Sequence, residues 1–466
     1  MADDQIARMT AHELLAGYRD RELSPVEATQ ASLERIDSLD QHVNGFCLTD
    51  ADAALAAARA SQERYAAGQP AGRLDGVPVA IKDVFLTAGW PTRKGSKAIG
   101  PEGPWPDDAP AVARVREHGA VLVGKTTTPE LGWKGVTDSP LAGVTRNPWD
   151  PTRTAEGSSG GSAVAVALGM TPLATGTDGG GSIRIPAGFS GVAGIKPTFG
   201  RVPHYPPSPF GTLAHAGPMA RTVADLALML DVMAGPDARD WYALPPSDGR
   251  FSEQLGDGIA GVRIAFSPTL GYVDVDPEVA DTVEAAVHVL GADVERLDPG
   301  FTDPVDTYDV LWHVGAANVL AGFDAQAREM MDPGLLAIAE HGRRFSAVDL
   351  AQATARRDTL GVHMSQFHED YDLLVMPTLP IPAFEAGRNV PADWPEPGWP
   401  SWTPFSYPFN LTQQPALSVP CGFTSGGLPV GLQIVGAKYD DALVLRAGHT
   451  YQVANPLFDV WPDWAA

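Results

Sequence analysis

Three short stretches constrain this chain more than any other: Gly76-Val-Pro-Val-Ala-Ile-Lys-Asp83, Glu156-Gly-Ser-Ser-Gly-Gly-Ser162 and Asp178-Gly-Gly-Gly-Ser-Ile-Arg-Ile-Pro186. In the first, residues 77–81 form an apolar run that reads as a short buried strand and delivers Lys82 at its end. The other two are glycine-rich loops carrying Ser158 and Ser182. The loop 157–162 leads into Ala163-Val-Ala-Val-Ala-Leu168, whose period fits helix or strand; its small residues and the preceding glycines favour a tightly packed helix. Residues 172–177 read as a strand running into the loop 178–182.

The rest of the chain repeats this alternation. Thr10-x-x-Glu13 and Ser24-Pro25-x-Glu27 read as capping boxes, the second with proline at the first helical position. An alanine-rich helix over 51–67 stops at Gly68, and Asp108-Ala-Pro110 opens a helix that Gly119 closes before a buried strand at 120–123. Thr222-x-x-Asp225 starts a helix that ends at Gly235-Pro236, and from there to about Gly261 the Pro-, Gly- and Asp-rich chain reads as a linker or surface excursion. Strands are expected at 262–266, 373–376, 416–419 and 430–435, and helices at 279–290, 348–368 and 442–453. Strands alternating with helices predict an α/β fold.

Composition excludes several classes of function. Of 466 residues 44% are hydrophobic, enough for a large core, and the 49 glycines and 42 prolines are scattered among apolar runs, as in a loop-rich globular enzyme. A formal charge of -24 argues against nucleic acid and against an anionic membrane, because both demand a basic patch. Cys47 and Cys421 stand alone, so neither a disulfide framework nor a zinc site is expected, and both read as buried thiols. The N-terminus lacks the basic and apolar regions of a secretory signal, and no uncharged apolar run approaches the ~20 residues of a spanning helix. A soluble, cytoplasmic protein is expected.

A serine hydroxyl needs a base before it attacks, and lysine serves only if its pKa falls from ~10.4 towards ~7–8, which costs about 3–5 kcal/mol and which burial can supply. Lys82 has apolar neighbours in sequence; an ion pair with Asp83 would hold it protonated, but on an extended segment the Asp83 side chain points to the opposite face. Gly179, Gly180 and Gly181 give the segment before Ser182 the backbone freedom to converge N–H groups on one oxygen, as in an oxyanion hole. The loops could instead cradle a phosphate, but they contain no G-x-x-x-x-G-K-[ST] and no lysine ends either loop.

Together the three stretches resemble the amidase-signature family of serine hydrolases. Gly124-Lys-Thr126, Asn147-Pro-Trp149, Gly194-Ile-Lys-Pro-Thr198, Gly217-Pro218, Arg221-Thr-Val-Ala-Asp225, Pro415-Ala-Leu-Ser-Val-Pro420 and Gly427-Leu-Pro-Val-Gly-Leu-Gln433 fit it too, as does the interval of 24 residues (182 minus 158) between the two serines. The resemblance implies one domain over 1–466: N-terminal helices in 1–70, a signature core in 71–235, a variable region in 236–385 and a C-terminal sheet and helix segment in 386–466. It implies a large, mixed central sheet covered by helices on both sides. It further implies Ser182 as nucleophile, Ser158 as proton bridge behind a cis Gly157–Ser158 peptide, Lys82 as general base, Ser159 as support and N–H groups of 179–181 as the oxyanion hole, without metal or organic cofactor. Asp178 and Arg184 are expected to hold the loop. Glu156 and Gly179 depart from the family, which commonly has a small residue and a β-branched one there, and are expected to reshape the pocket while leaving the chemistry.

The aromatic and proline-rich stretch Trp394 to Phe409 reads either as a packed lid or as an aromatic wall, through Trp399, Trp402 and Phe405, of the acyl or amine pocket; His215 is either a pocket residue or a hydrogen-bonded structural one. A small-molecule amide, or a carbamate in its place, is the expected substrate of a stand-alone amidase. The alternatives are the glutaminase component of a tRNA-dependent amidotransferase, which works with partner chains, and a non-catalytic binding protein. A homodimer is left open.

Overall fold

A computed structural model describes residues 3–291 and 294–465. Its strands are β1 (Phe46–Thr49), β2 (Pro78–Lys82), β3 (Val121–Thr126), β4 (Asp138–Ser139), β5 (Gly143–Val144), β6 (Leu173–Asp178), β7 (Ala193–Lys196), β8 (His215–Ala220), β9 (Ile264–Phe266), β10 (Val294–Arg296), β11 (Leu373–Pro377), β12 (Ala416–Phe423) and β13 (Pro429–Gly436). All but β4 and β5, which pair with each other, join one eleven-stranded sheet in the order β1-β3-β2-β6-β8-β7-β12-β13-β11-β9-β10. Neighbours β3, β2 and β6 are parallel, as are β11, β9 and β10, whereas the pairings from β6 through β8, β7, β12 and β13 to β11 are antiparallel.

Alternation along β2 shows both faces covered. Val79 and Ile81 belong to the same core cluster as Val112 and Val115 of the helix Pro110–Glu117, while Ala80 between them belongs to the cluster that holds Val164 and Val166 of the helix Gly160–Ala167. Strands covered on both faces read as unbroken apolar runs, which is why β2 was legible. The same parity sends Lys82 to the side of the helix Gly160–Ala167 and Asp83 to the other.

The expected caps are present. Thr10 and Ser24 each accept the N–H of the glutamate three residues on, and Glu13 and Glu27 return the bond to the cap residue, opening the helices Ala11–Asp20 and Pro25–Val43. Gly68 and Gly119 sit at φ 69° and 81° just past the helices they close. Residues 163–167 are helical and Leu168 caps the helix, which begins three residues earlier than expected, at Gly160, inside the loop the sequence suggested. Residues 236–261 hold only short 3-10 turns. Cys421 is buried as expected; Cys47, on the edge strand β1, is exposed, so its burial is corrected. Among the described residues no helix is long and apolar enough to cross a membrane.

Candidate active site

The strand β2 ends on Lys82, its parallel neighbour β6 ends on Asp178, and the helix Gly160–Ala167 points its N-terminus at the same place, with Ser158 and Ser159 just before it. The peptide between Gly157 and Ser158 is cis. Lys82 is fully buried, and its Nζ lies 2.7 Å from Ser158 Oγ, 2.8 Å from Ser159 Oγ and 2.9 Å from Thr177 Oγ1. These partners are all neutral. Burial, opposed by the charge of Asp178, pushes the Lys82 ammonium well below the ordinary lysine range, and the positive end of the nearby helix acts in the same direction.

A neutral amine has two N–H donors and one lone pair, so of three hydroxyls around it one must donate. The Ser159 hydroxyl proton already goes to the Thr177 carbonyl, 3.2 Å away, which makes Ser159 an acceptor from Lys82. Ser158 is free to donate to the lysine. That polarity is the one a proton path from a serine towards Lys82 requires.

Asp83 is not a partner of Lys82. It faces the other side of the strand and pairs with Lys125 at 3.2 Å, both side chains buried, while its carboxylate also accepts the N–H groups of Arg93 and Gly95, each at 3.3 Å. Lys125 of the Gly124-Lys-Thr126 motif thereby engages the carboxylate next to Lys82 in sequence and keeps it on the other side of the strand.

Ser182 follows β6 by a tight loop. The residue is 4% exposed and lines a cleft with Ser158, and its hydroxyl has no hydrogen-bond partner among the described residues; its carbonyl accepts the Ser159 N–H at 3.1 Å, which ties the two serine loops together. Beneath the loop lies a buried ion pair. Arg184 donates to Asp178 through Nε at 3.0 Å and Nη2 at 2.9 Å, and also to Gln433 at 2.8 Å and Asn410 at 2.7 Å, with both charged side chains fully buried. Burial alone would raise the Asp178 carboxyl, but Arg184, Lys196 and Asn410 overcome it and hold the group far below the usual carboxylate range. Asp178 Oδ1 accepts the Gly181 N–H at 2.8 Å. Gly181 therefore departs from the expected oxyanion donors, leaving Gly179 and Gly180 of that trio.

The cleft encloses about 250 Å³. Its walls include Phe85, Leu131, Phe210, Trp312, Val319 and Phe323, with Thr177 and Gly179 beside the serines. None of the four residues proposed from the sequence as pocket residues lines it. Trp402 and Phe405 are fully buried, Trp402 packing on Phe189 and Phe384, so the aromatic stretch is a packed layer. Trp399 stands behind the wall, its ring 5.8 Å from that of Trp312. His215 lines an adjoining cavity of about 90 Å³, with Nδ1 2.8 Å from the Leu213 carbonyl; burial lowers its pKa well below the ordinary value.

What the sequence reading missed is Trp312, on the helix Val305–Ala321. It stacks on Phe210 at 3.8 Å and donates its indole N–H to the Trp133 carbonyl at 3.0 Å. A Cβ on Gly179 would lie 2.9 Å from the Trp312 ring, closer than side chains tolerate, so the glycine that departs from the family pattern is the space the indole fills. The Gly179 departure does reshape the cleft. Glu156 does not line it: it is fully buried behind the Gly157–Ser158 peptide, at φ 59°, with neither carboxyl oxygen hydrogen-bonded among the described residues.

Comparison with known proteins places this geometry. A family model described as Amidase matches residues 27–445. An acylamidase of Rhodococcus erythropolis is 37% identical over 99% of this chain and 98% of its own length, and a component chain of the glutamyl-tRNA(Gln) amidotransferase of Myxococcus xanthus is 37% identical over 97% and 99%. The crystal structure of a bacterial aryl acylamidase of the amidase-signature family superposes with a TM-score of 0.90 at 29% identity, covering 97% of this chain and 98% of that one. A 6-aminohexanoate cyclic dimer hydrolase complexed with substrate gives 0.88 at 27% identity, covering 99% and 100%.

Proposed function

The chain belongs to the amidase family and is an amide-hydrolysing enzyme, and from that premise we propose that it acts by itself on small hydrophobic or aryl amides, with aryl carbamates within its range. Ser182 is the nucleophile, Ser158 the proton bridge and Lys82 the general base. As Ser182 Oγ bonds to the substrate carbonyl carbon, its proton passes to Ser158 while Ser158 passes its own to neutral Lys82. The Gly179 and Gly180 amides face the developing oxyanion. The C–N bond then breaks as the Lys82 ammonium returns a proton through Ser158 to the departing nitrogen, and water releases the acyl group from Ser182 by the same relay.

The observation that carries the substrate class is the aromatic wall, Trp312 stacked on Phe210 and seated against Gly179 next to Ser182. Planar rings gain most from such a surface, and the modest volume suits a small substrate. The glutaminase reading is favoured less by the same cleft. Glutamine brings an α-ammonium with its amide, and no aspartate or glutamate is among the lining residues to meet it.

The test is amine release by the purified chain from anilides, aliphatic primary amides including L-glutamine, and aryl carbamates, with Ser182→Ala and Trp312→Ala beside it. Expected are turnover of anilides, its loss in Ser182→Ala, and a shift of preference from aryl towards aliphatic amides in Trp312→Ala. Turnover of glutamine alone would replace the reading with the glutaminase one, and turnover surviving in Ser182→Ala would remove that serine from the mechanism.

A further inference from the structure

The relay described above uses no residue of the loop that follows β2, yet this loop places a lysine in the cleft. Lys94 lines it together with Ser158 and Ser182 and is the one charged side chain among the lining residues. It is half-buried, and its Nζ has neither an ion pair nor a hydrogen bond among the described residues.

Its placement is specified by the surrounding structure. Asp83 grips the N–H groups on either side of Lys94, those of Arg93 and Gly95; the Lys94 carbonyl accepts the Leu131 N–H at 2.7 Å; and Ser96 donates to Glu130 at 2.5 Å. Lys94 and Leu131 sit at φ 53° and 55°, the left-handed region that residues with a Cβ hold where their surroundings impose it and that gathers at ligand-contacting positions. A Cβ on Gly95 would strike the Thr128 carbonyl, 2.5 Å away, so the tight approach of the two loops also depends on that glycine. Solvated surface lysines need no such scaffold.

An ammonium in a cleft walled by Phe85, Leu131 and Trp312, without a counter-ion among the described residues, has already lost much of its water, and an anion entering there meets it at a low effective dielectric. Burial depresses the Lys94 pKa, with Asp83 opposing, and a bound anion would raise it. Neutral substrates leave this cation unanswered. We propose that Lys94 is a substrate-recognition residue that binds a carboxylate, so that the substrates are small amides carrying an anionic group. This rests on the reading of Ser182 as the nucleophile of the same cleft. The carboxylate can sit on the acyl or the amine portion, and the experiment separates the two.

Acetanilide, 4-acetamidobenzoate (carboxylate on the amine side) and N-phenylsuccinamate (carboxylate on the acyl side) are compared by kcat/KM in the wild type, Lys94→Met and Lys94→Arg. Charge-assisted contacts predict that one of the two anionic substrates exceeds acetanilide by about tenfold or more, mainly through KM. The preference should shrink with added salt, fall to about one in Lys94→Met and return in Lys94→Arg. Equal kcat/KM for neutral and anionic substrates, or a preference unchanged in Lys94→Met, overturns the proposal. Calorimetry of 4-aminobenzoate and N-phenylsuccinamate binding to Ser182→Ala, with and without Lys94→Met, decides Lys94 without turnover: binding weakened about tenfold supports it, and equal binding sinks it. If no substrate is hydrolysed while that binding depends on Lys94, the nucleophile assignment fails and the carboxylate site stands.

Discussion

Replacing Lys82 by methionine tests whether this lysine, the proposed base, is neutral in the folded enzyme. The two side chains are similar in length, and the site, walled by Ser158, Ser159 and Thr177, contains no counter-ion within ion-pair distance among the described residues. Deprotonating an ordinary lysine at pH 7 costs about 1.36 kcal/mol for each of the ~3.4 units up to ~10.4, close to 5 kcal/mol. If the fold imposes this, the wild type is least stabilised at low pH. Its Lys82 pKa is depressed by burial, so the unfolded chain binds the extra proton, and stability rises with pH up to the ordinary value near 10.4. Methionine loses three hydrogen bonds at every pH but carries no such penalty. The stability of Lys82→Met relative to wild type should therefore fall as pH rises, by up to ~1.36 kcal/mol per unit, in the window from the depressed folded pKa up to ~10.4. For a chain of 466 residues this is roughly 1–2 °C in Tm per pH unit. Thermal melts of the pair from pH 6 to 10 read it, since other titrations cancel in the difference. The same variant should lose ~10²-fold or more in kcat as general-base assistance disappears. A Tm difference that is flat with pH, together with retained activity, would refute a neutral Lys82 and the relay that depends on it.

Glu156→Gln should show the opposite slope: burial, aided by Asp138, raises the Glu156 carboxyl well above its ordinary value, so the wild type loses stability as pH rises above ~4.3 and the variant gains on it until the raised pKa is passed. Melts of the pair from pH 4 to 8 that stay parallel would mean the carboxylate is ionised and paired in solution. Arg184→Met leaves the Asp178 carboxylate buried and uncompensated and should cost about 3–5 kcal/mol in denaturant unfolding, with Asp178→Asn/Arg184→Met recovering part of it; a loss under ~1 kcal/mol would show that the pair does not support the Ser182 loop.

Much of the site was legible because its chemistry is local. Lys82 closes an apolar strand, and the serines sit in glycine-rich loops next to helices. Strand β8 was not legible. Its sequence, His-Ala-Gly-Pro-Met-Ala, contains the two residues least favoured in a central strand, yet it pairs on both sides, with β6 and β7. The reason is close packing: a Cβ on Gly217 would collide with the Ile195 carbonyl of β7. The cleft wall was illegible for a different reason. The stretch 394–409 is aromatic enough to wall a pocket, but composition does not say which way rings point, and packing turned Trp402 towards Phe189 and Phe384. Trp312 lies in a helix whose local sequence carries no motif, and only its contact with Gly179 reveals its place.

Three lysines buried in one sheet show how a single side chain is assigned different work. Lys125 meets a carboxylate, Asp83, and remains one half of an ion pair. Lys196 donates to the carbonyls of Gln414 and Pro197 and so anchors β7 to the chain entering β12. Lys82 meets only hydroxyls, and hydroxyls can both accept from an amine and donate to it. A carboxylate would fix the charge and a carbonyl would fix the direction of the hydrogen bond; a hydroxyl fixes neither, so a proton can pass in both directions along the same contact. Hydrolysis through an acyl-enzyme needs that reversal in each half-reaction, away from the attacking oxygen and back to the departing nitrogen or oxygen. The pairing of Asp83 with Lys125 on the far side of β2 is therefore part of the same arrangement, because it leaves the site of Lys82 to neutral partners.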